Sequence, residues 1–178
     1  MKFIETKLKG VFIIEPEITE DQRGFFARTF CRDEFKRHSL VDVFLQCGFS
    51  YNKRKGTLRG IHYQVHPHEE TKLIRCVKGR VYDVVLDLRE GSPTFGQSVA
   101  EVLSDDGAKM IYVPKGCGHG FQTLEDDSEV FYQITPNYNM EASRGIRWDD
   151  PFANIDWPIK ENLIISEKDQ GYEFLKKT

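Results

Sequence analysis

The sequence has few cysteines, and none of their spacings marks a zinc knuckle or a dense disulfide framework. The four of them stand far apart, with no Cys-x-x-Cys pair: Cys31, Cys47, Cys76 and Cys117. A zinc knuckle needs closely spaced cysteines, and a dense disulfide framework needs many of them in a short chain. We therefore interpret the thiols as buried or incidental, in a protein of the reducing cytoplasm.

Long apolar runs are also missing. No stretch approaches the roughly 20 apolar residues that a membrane-spanning helix requires. Lys2, Glu5 and Lys7 interrupt the first residues before an apolar run can form, unlike the start of a signal peptide. We expect a cytoplasmic protein that is neither exported nor membrane-bound.

An excess of positive charge is absent as well. The 178 residues include 25 Lys and Arg against 28 Asp and Glu, for a net charge of -3, and the basic residues are spread along the chain. A nucleic-acid partner is not expected, because no cationic stripe could follow a phosphate backbone. No repeat, low-complexity tract or linker divides the chain, so we expect one domain over residues 1–178.

What the sequence does contain is a series of short aromatic and β-branched runs separated by Gly, Pro and Asp, which predicts a mainly β protein. Strands are predicted at 11–15, 25–30, 43–50, 73–78, 80–87, 98–103, 110–113 and 130–135, with Lys78 and Gly79 in a tight hairpin. Two short helices are predicted, at 33–38 behind an acidic cap, Asp33, and at 167–172 behind Ser166. The density of antiparallel strands favours an all-β jelly roll or another closed sandwich.

The first candidate cluster is Leu-Arg-Gly-Ile-His-Tyr-Gln at 58–64. Strand alternation predicts Gly60, His62 and Gln64 on one face and Arg59 and Ile61 on the other. An inward histidine is an acid/base group or a ligand, and a hydrogen-bonded core histidine is an equal alternative.

The second cluster is Pro-Lys-Gly-Cys-Gly-His-Gly-Phe at 114–121, in which Pro and Gly predict a turn that delivers His119 to the start of a strand. The pattern Pro-x-Gly-x-x-His is similar to the second cupin motif, whose histidine joins a His-x-His pair and a glutamate in metal cupins. Here His62 is followed by Gln64 where the second histidine would stand, so the set of ligands is incomplete and no metal is expected.

Substitute ligands are available between the two clusters. They are His66, His68, Glu69 and Glu70. Pro67 and the dense charge of this segment indicate a solvated loop rather than a metal site.

Without a metal, polar residues of the barrel would move protons next to a ketone. Lys72 could stabilise an enolate oxygen, His62 could remove a carbon-bound proton, and Tyr132 could return one. The pattern around Tyr132 does not decide whether its side chain points inward, and an isolated tyrosine is more often a packing residue.

Seven segments in order give the chain its resemblance to dTDP-4-dehydrorhamnose 3,5-epimerases. They lie at 23–26, 58–64, 91–96, 114–121, 145–151, 155–158 and 163–169, and span nearly the full length. The resemblance implies a homodimeric cupin without metal or cofactor. Such an enzyme inverts C3 and C5 of a 4-keto-6-deoxy sugar carried on a nucleoside diphosphate, in the biosynthesis of deoxysugars for surface polysaccharides.

The same resemblance implies roles for individual residues. His62 would be the base, Asp169 the carboxylate that orients it, Tyr132 the acid and Lys72 the group that holds the keto oxygen. Substrate contacts are implied for Arg59 and His119 at the sugar, for Arg23, Gln46 and Lys168 at the nucleotide, and for Arg28 and Tyr138. On local pattern alone, the Arg and Lys residues are ordinary surface charges and Asp169 is a carboxylate at a helix start.

The chain departs from the family pattern where the nucleotide is expected. Many members show Gln-Asp-Asn followed by His, whereas this chain has Gln46, Cys47, Gly48 and Phe49, and Arg28 and Ser143 stand where Glu is common. The identity of the base therefore stays open.

Three alternative functions remain. A C3-only epimerase or a 3,4-ketoisomerase would use the same base and barrel. A metal-dependent cupin oxygenase or isomerase would use His62, His119 and a carboxylate as ligands. A non-catalytic sugar-nucleotide binding module would keep the pocket without the activity.

Overall fold

The computed structural model describes residues 1–176, which form a β-sandwich with two short helices. The elements are β1 (Lys2–Glu5), β2 (Phe12–Glu15), β3 (Ile18–Asp21), β4 (Gly24–Ala27), α1 (Arg32–Arg37), β5 (Gln46–Asn52), β6 (Thr57–Gln64), β7 (Thr71–Lys78), β8 (Arg80–Asp87), β9 (Ser98–Ser104), β10 (Met110–Val113), β11 (Cys117–Thr123), β12 (Ser128–Thr135), β13 (Ser143–Gly145), β14 (Ile164–Ile165) and α2 (Glu167–Gln170). The all-β class with short peripheral helices is confirmed.

Two large sheets face each other in the sandwich. The first has the strand order β1-β2-β10-β7-β12-β5, and the second has the order β13-β6-β11-β8-β9. Neighbouring strands are antiparallel, apart from the two-residue strand β14, which pairs with β6 in parallel. This arrangement is a cupin-like jelly roll, and β3 and β4 form a separate two-stranded hairpin.

The main core lies between the two sheets. Ile74, Ile111 and Val130 of the first sheet pack with Val81 and Val85 of the second. Their branched side chains fill the interior at the density that a sandwich requires. The candidate site occupies another part of the same interior.

Gly79 does not turn the predicted hairpin. Its φ of 73° is left-handed, as expected. However, β7 pairs with β10 and β12 in the first sheet, whereas β8 pairs with β9 and β11 in the second. The hairpin prediction was wrong: Gly79 lets the chain cross between sheets.

The helix starts were predicted with mixed success. The Ser166 hydroxyl accepts a hydrogen bond from the Asp169 N–H at 3.1 Å, which confirms Ser166 as the cap of α2. Asp33 is not a cap, because α1 begins one residue earlier behind Cys31, whose side chain makes no capping bond. Asp33 instead lies in the first turn, where its negative charge interacts favourably with the helix dipole.

The ends of the strands were predicted less accurately than their positions. The predicted strand 25–30 ends at Ala27, and the predicted strand 43–50 begins only at Gln46 and continues to Asn52. The short strands β1, β3, β13 and β14 were not predicted. Within residues 1–176 there is also no helix with the length and apolar character needed to cross a bilayer.

Candidate active site

A cavity of about 600 Å³ opens between the two sheets. Eight residues singled out from the sequence line it, namely Gln46, Arg59, His62, Lys72, His119, Tyr132, Tyr138 and Lys168. Lys72 and Tyr132 belong to the first sheet, whereas His62 and His119 belong to the second. Polar groups from facing walls therefore point into one space, which is the usual form of a small-molecule site.

An irregularity in β6 brings Arg59 and His62 to the same wall. His62 is paired with His119 and Arg59 with Phe121, so two residues of β6 oppose the single residue Gly120 of β11. This extra residue is a β-bulge, and it reverses the alternation. The prediction that Arg59 and His62 face opposite sides was therefore wrong.

Gly60 makes the bulge possible. Its φ is 124°, and a Cβ there would lie 2.5 Å from the Cα of Gly120. Only glycine combines that backbone conformation with so close an approach of two strands. The side chain of Ile61 packs in a second apolar cluster, together with Leu58 and Trp157.

His62 is held by the carboxylate of Asp169. Its Nε2 lies 2.8 Å from Oδ1 of Asp169, and Oδ2 accepts the Gly60 N–H at 3.1 Å. Burial raises the Asp169 pKa, but hydrogen bonds and charge from His62 outweigh it, so the pKa is lowered overall. The ionised carboxylate only accepts, so Nε2 carries the proton and Nδ1 keeps a basic lone pair.

His119 has a similar partner that the sequence pattern did not reveal. Its Nε2 lies 2.9 Å from both carboxylate oxygens of Asp83, which is fully buried in β8. A buried carboxylate requires such a partner. The available signal was an acidic residue inside the apolar run of β8.

Lys72 is paired with Glu70 at 2.8 Å, and both side chains line the cavity with 12% and 7% of their surface exposed. The prediction of a solvated loop was wrong for Glu70, because β7 begins at Thr71 and draws the preceding residue inside. The same prediction of a solvated loop agrees with the structure at His66, which is exposed and hydrogen-bonded to Glu69.

A hydrogen bond also holds the Arg59 side chain in position, since its Nε donates to Oδ1 of the buried Asn52 at 2.8 Å. Asn52 was not identified from the sequence.

At the other end of β5, Oε1 of Gln46 accepts the Tyr138 N–H at 2.7 Å, and this bond joins β5 to the loop after β12.

Tyr132 points into the cavity, a point that the sequence pattern left open. The inner part of its side chain packs against the main core, and its ring lies over Gly48, the residue directly opposite in β5. No described residue makes a hydrogen bond to its hydroxyl. Within residues 1–176, packing is therefore what positions this phenol.

Two predicted substrate contacts do not line the cavity of the single chain. Arg23 lies in the turn of the β3–β4 hairpin and binds Asp21 with its side chain. Arg28 follows the hairpin and pairs with Glu34.

No group of three or more His, Cys, Asp or Glu side chains in residues 1–176 is arranged to hold a metal ion. All four cysteines are free. Burial raises the pKa of the Cys76 thiol to about 11 and that of Cys117 to about 12, so both are poor nucleophiles. Cys47 is exposed at the rim of the cavity.

Comparison with known proteins gives consistent matches over nearly the whole chain. The family described as dTDP-4-dehydrorhamnose 3,5-epimerase matches residues 5–177. The dTDP-4-dehydrorhamnose 3,5-epimerase of Methanothermobacter thermautotrophicus is 41% identical, over 99% of this chain and 95% of the relative.

Solved structures agree. The Bacillus anthracis dTDP-4-dehydrorhamnose 3,5-epimerase with TDP and PPi bound superposes with a TM-score of 0.94 at 37% identity, covering 98% of this chain and 99% of the other. The Legionella pneumophila dTDP-6-deoxy-D-glucose-3,5-epimerase in complex with dTDP-4-keto-L-rhamnose gives 0.92 at 38% identity, covering 97% and 92%.

Proposed function

The chain belongs to the dTDP-4-dehydrorhamnose 3,5-epimerase family, and from this premise we propose how its residues carry out the reaction. The enzyme is an isomerase that converts dTDP-4-dehydro-6-deoxyglucose to dTDP-4-dehydrorhamnose, in dTDP-rhamnose biosynthesis. The double inversion is supported over the alternatives of C3-only epimerisation, keto-group isomerisation and metal-dependent chemistry.

The 4-keto group of the sugar supplies the acidity that the reaction needs. Removing a proton from C3 or C5 leaves the electron pair in an enolate, with negative charge on the 4-oxygen. Lys72 stabilises that oxygen as an ammonium held by Glu70. No redox step occurs, so the chemistry needs no cofactor.

His62 is the base in this proposal, and Tyr132 is the acid. Nδ1 of His62 takes the carbon-bound proton, while the Asp169 carboxylate stabilises the imidazolium that forms. The phenol of Tyr132, on the facing sheet, returns a proton to the opposite face of the carbon. Exchange with solvent then restores both groups. The observation that carries the proposal is the His62–Asp169 pair, facing a cavity that also holds Lys72 and Tyr132.

The remaining polar residues would bind substrate. We assign Arg59 and His119 to the sugar, because Asn52 and Asp83 fix them beside His62. Lys168, Gln46 and Tyr138, which also line the cavity, would bind the nucleotide, with Lys168 as a cation for the diphosphate.

A homodimer belongs to the same proposal. The β3–β4 hairpin carries Phe25 and Phe26, which are 48% and 72% exposed, and Phe49 on β5 is 58% exposed. A second copy would cover this apolar surface. The hairpin of one copy could then bring Arg23 and Arg28 to the substrate of the other. We also propose that residues 1–178 form one domain and that the enzyme acts in the cytoplasm.

The test of the proposed function is epimerisation in D₂O followed by NMR. We expect deuterium at both C3 and C5 of dTDP-4-dehydro-6-deoxyglucose, with both centres inverted and no added metal. Failure to exchange either proton would contradict the proposal. Calorimetry with dTDP, CDP, GDP and UDP tests the base, for which we expect dTDP to bind most tightly.

The proposed dimer is tested by measuring the mass of the protein in solution. Light scattering should give twice the chain mass of 20.7 kDa. Arg23→Ala should weaken dTDP binding without changing that mass, whereas binding equal to that of the unaltered protein would remove Arg23 from the site.

A further inference from the structure

Gly48 and Tyr132 share a space that only one side chain can fill. The two residues are directly opposed in the β5–β12 ladder. A Cβ built on Gly48 would lie well inside van der Waals contact with Cζ, Cε2 and the hydroxyl oxygen of Tyr132. The phenol therefore lies where any other residue at position 48 would place its side chain.

The backbone at this position does not require glycine. The φ of Gly48 is outside the left-handed region, unlike that of Gly60 or Gly79. Glycine inside a strand is otherwise unfavourable, and it often marks a close approach of another group. What Gly48 contributes is the absence of a side chain.

No other group among the described residues holds the hydroxyl in its place. The Tyr132 ring packs against the main core on its inner side, and within residues 1–176 no hydrogen bond fixes its oxygen. Gly48 is thus the surface against which the outer half of the ring lies.

We propose that Gly48 is a positioning residue that sets where the Tyr132 phenol delivers its proton. The inference rests on the proposed role of Tyr132 as the acid, and it adds the determinant of that role in this chain. Restoring van der Waals contact with a methyl group at position 48 requires the phenol to move by more than about 1 Å. A misplacement of that size costs up to roughly 100-fold in rate.

The test compares Gly48→Ala with Gly107→Ala. A Cβ at Gly107 meets no atom within 4 Å, and its φ is not left-handed, so the same chemical change is made where nothing is displaced. Both variants react with dTDP-4-dehydro-6-deoxyglucose in D₂O, and NMR follows deuterium entry and inversion at C3 and C5 separately.

For Gly48→Ala we expect inversion to fall at least tenfold, with an altered ratio of C3 to C5 inversion. Exchange without inversion should persist, because His62 is untouched, and dTDP binding should change less than threefold. Gly107→Ala should match the unaltered enzyme. In a Tyr132→Phe background, Gly48→Ala should add no further loss of inversion, because the acid is already absent.

Equal inversion rates and product ratios for Gly48→Ala and the unaltered enzyme would overturn the inference while leaving the proposed function intact. Loss of exchange in the unaltered enzyme would overturn both. If Gly48→Ala does not fold, a crystal structure of the unaltered protein decides. A phenol in contact with the Cα of Gly48 supports the inference, and one turned away from β5 overturns it.

Discussion

The carboxylate of Asp169 makes two contacts at once, with Nε2 of His62 at 2.8 Å and with the N–H of Gly60 at 3.1 Å. The second contact anchors the carboxylate to the bulge of β6, two residues before the imidazole that it orients. One side chain therefore contacts both the imidazole of His62 and the irregular part of the strand.

Removal of the base and removal of the acid should have different effects. We expect His62→Ala to lose both exchange and inversion by roughly 10²- to 10⁴-fold, because no group remains to take the proton. Tyr132→Phe should keep exchange but lose inversion by a similar factor. NMR in D₂O separates the two, and His66→Ala, at an exposed histidine outside the cavity, is the control. Equal loss of exchange in both variants would contradict this division of roles.

Glu70 should matter through Lys72. Glu70→Gln keeps the shape of the side chain but removes the charge that pairs with the ammonium at 2.8 Å. We expect kcat to fall roughly 10- to 100-fold, because Lys72 is no longer held at the keto oxygen, with a smaller change in KM. Steady-state kinetics measure this effect. Glu69→Gln, at the neighbouring carboxylate that pairs with His66, should leave kcat unchanged.

Chelation should leave the activity unchanged. No group of three or more potential ligands is arranged for a metal in residues 1–176. Dialysis against EDTA followed by the epimerisation assay is the measurement. A loss of activity that is restored by Fe, Mn or Zn would contradict the assignment.

Asp87 should make stability depend on acid pH. It is fully buried and binds Arg89, Ser92 and Thr94. Burial raises its pKa, but these hydrogen bonds outweigh it and hold the pKa far below the usual range. The stabilisation is therefore complete above the unfolded pKa of about 3.9 and is lost as pH falls toward the folded value.

Asp87→Asn should lower the free energy of unfolding by about 3 kcal/mol at pH 7, because Arg89 loses its buried partner. Urea unfolding at pH 7, 4 and 3 measures the difference, which should shrink at the lowest pH. A constant difference over this range would show that ionisation of Asp87 is not its cause.

The sequence predicted most of the long strands because their apolar runs are bounded by turn residues. The strands at 80–87 and 110–113 have the predicted bounds. The Gly79 turn was misassigned because a left-handed residue allows a reversal without deciding which sheet receives the chain. That choice depends on pairing with β10 to β12, far along the sequence.

The sequence pointed to many of the residues that line the cavity, but less well to their geometry. The resemblance pointed to His62, Lys72 and Tyr132, which share one cavity, but their roles stay predictions. Local alternation failed at Arg59, because Gly60 permits a bulge where β6 pairs with β11, and the alternation within the segment does not reveal that pairing. Asp83 was missed for a similar reason, since its partner His119 is 36 residues away.

The four residues of α2 include both Lys168, on the cavity wall, and Asp169, behind the imidazole. The proposed cation for the nucleotide and the proposed orienting partner of the base are thus consecutive in one helical turn. Binding of the diphosphate to Lys168 would hold Asp169, and through it His62, in position. The nucleotide, which does not react, would then contribute to the turnover of the sugar. The free keto sugar, stripped of its nucleotide, should then react slowly even at saturating concentration.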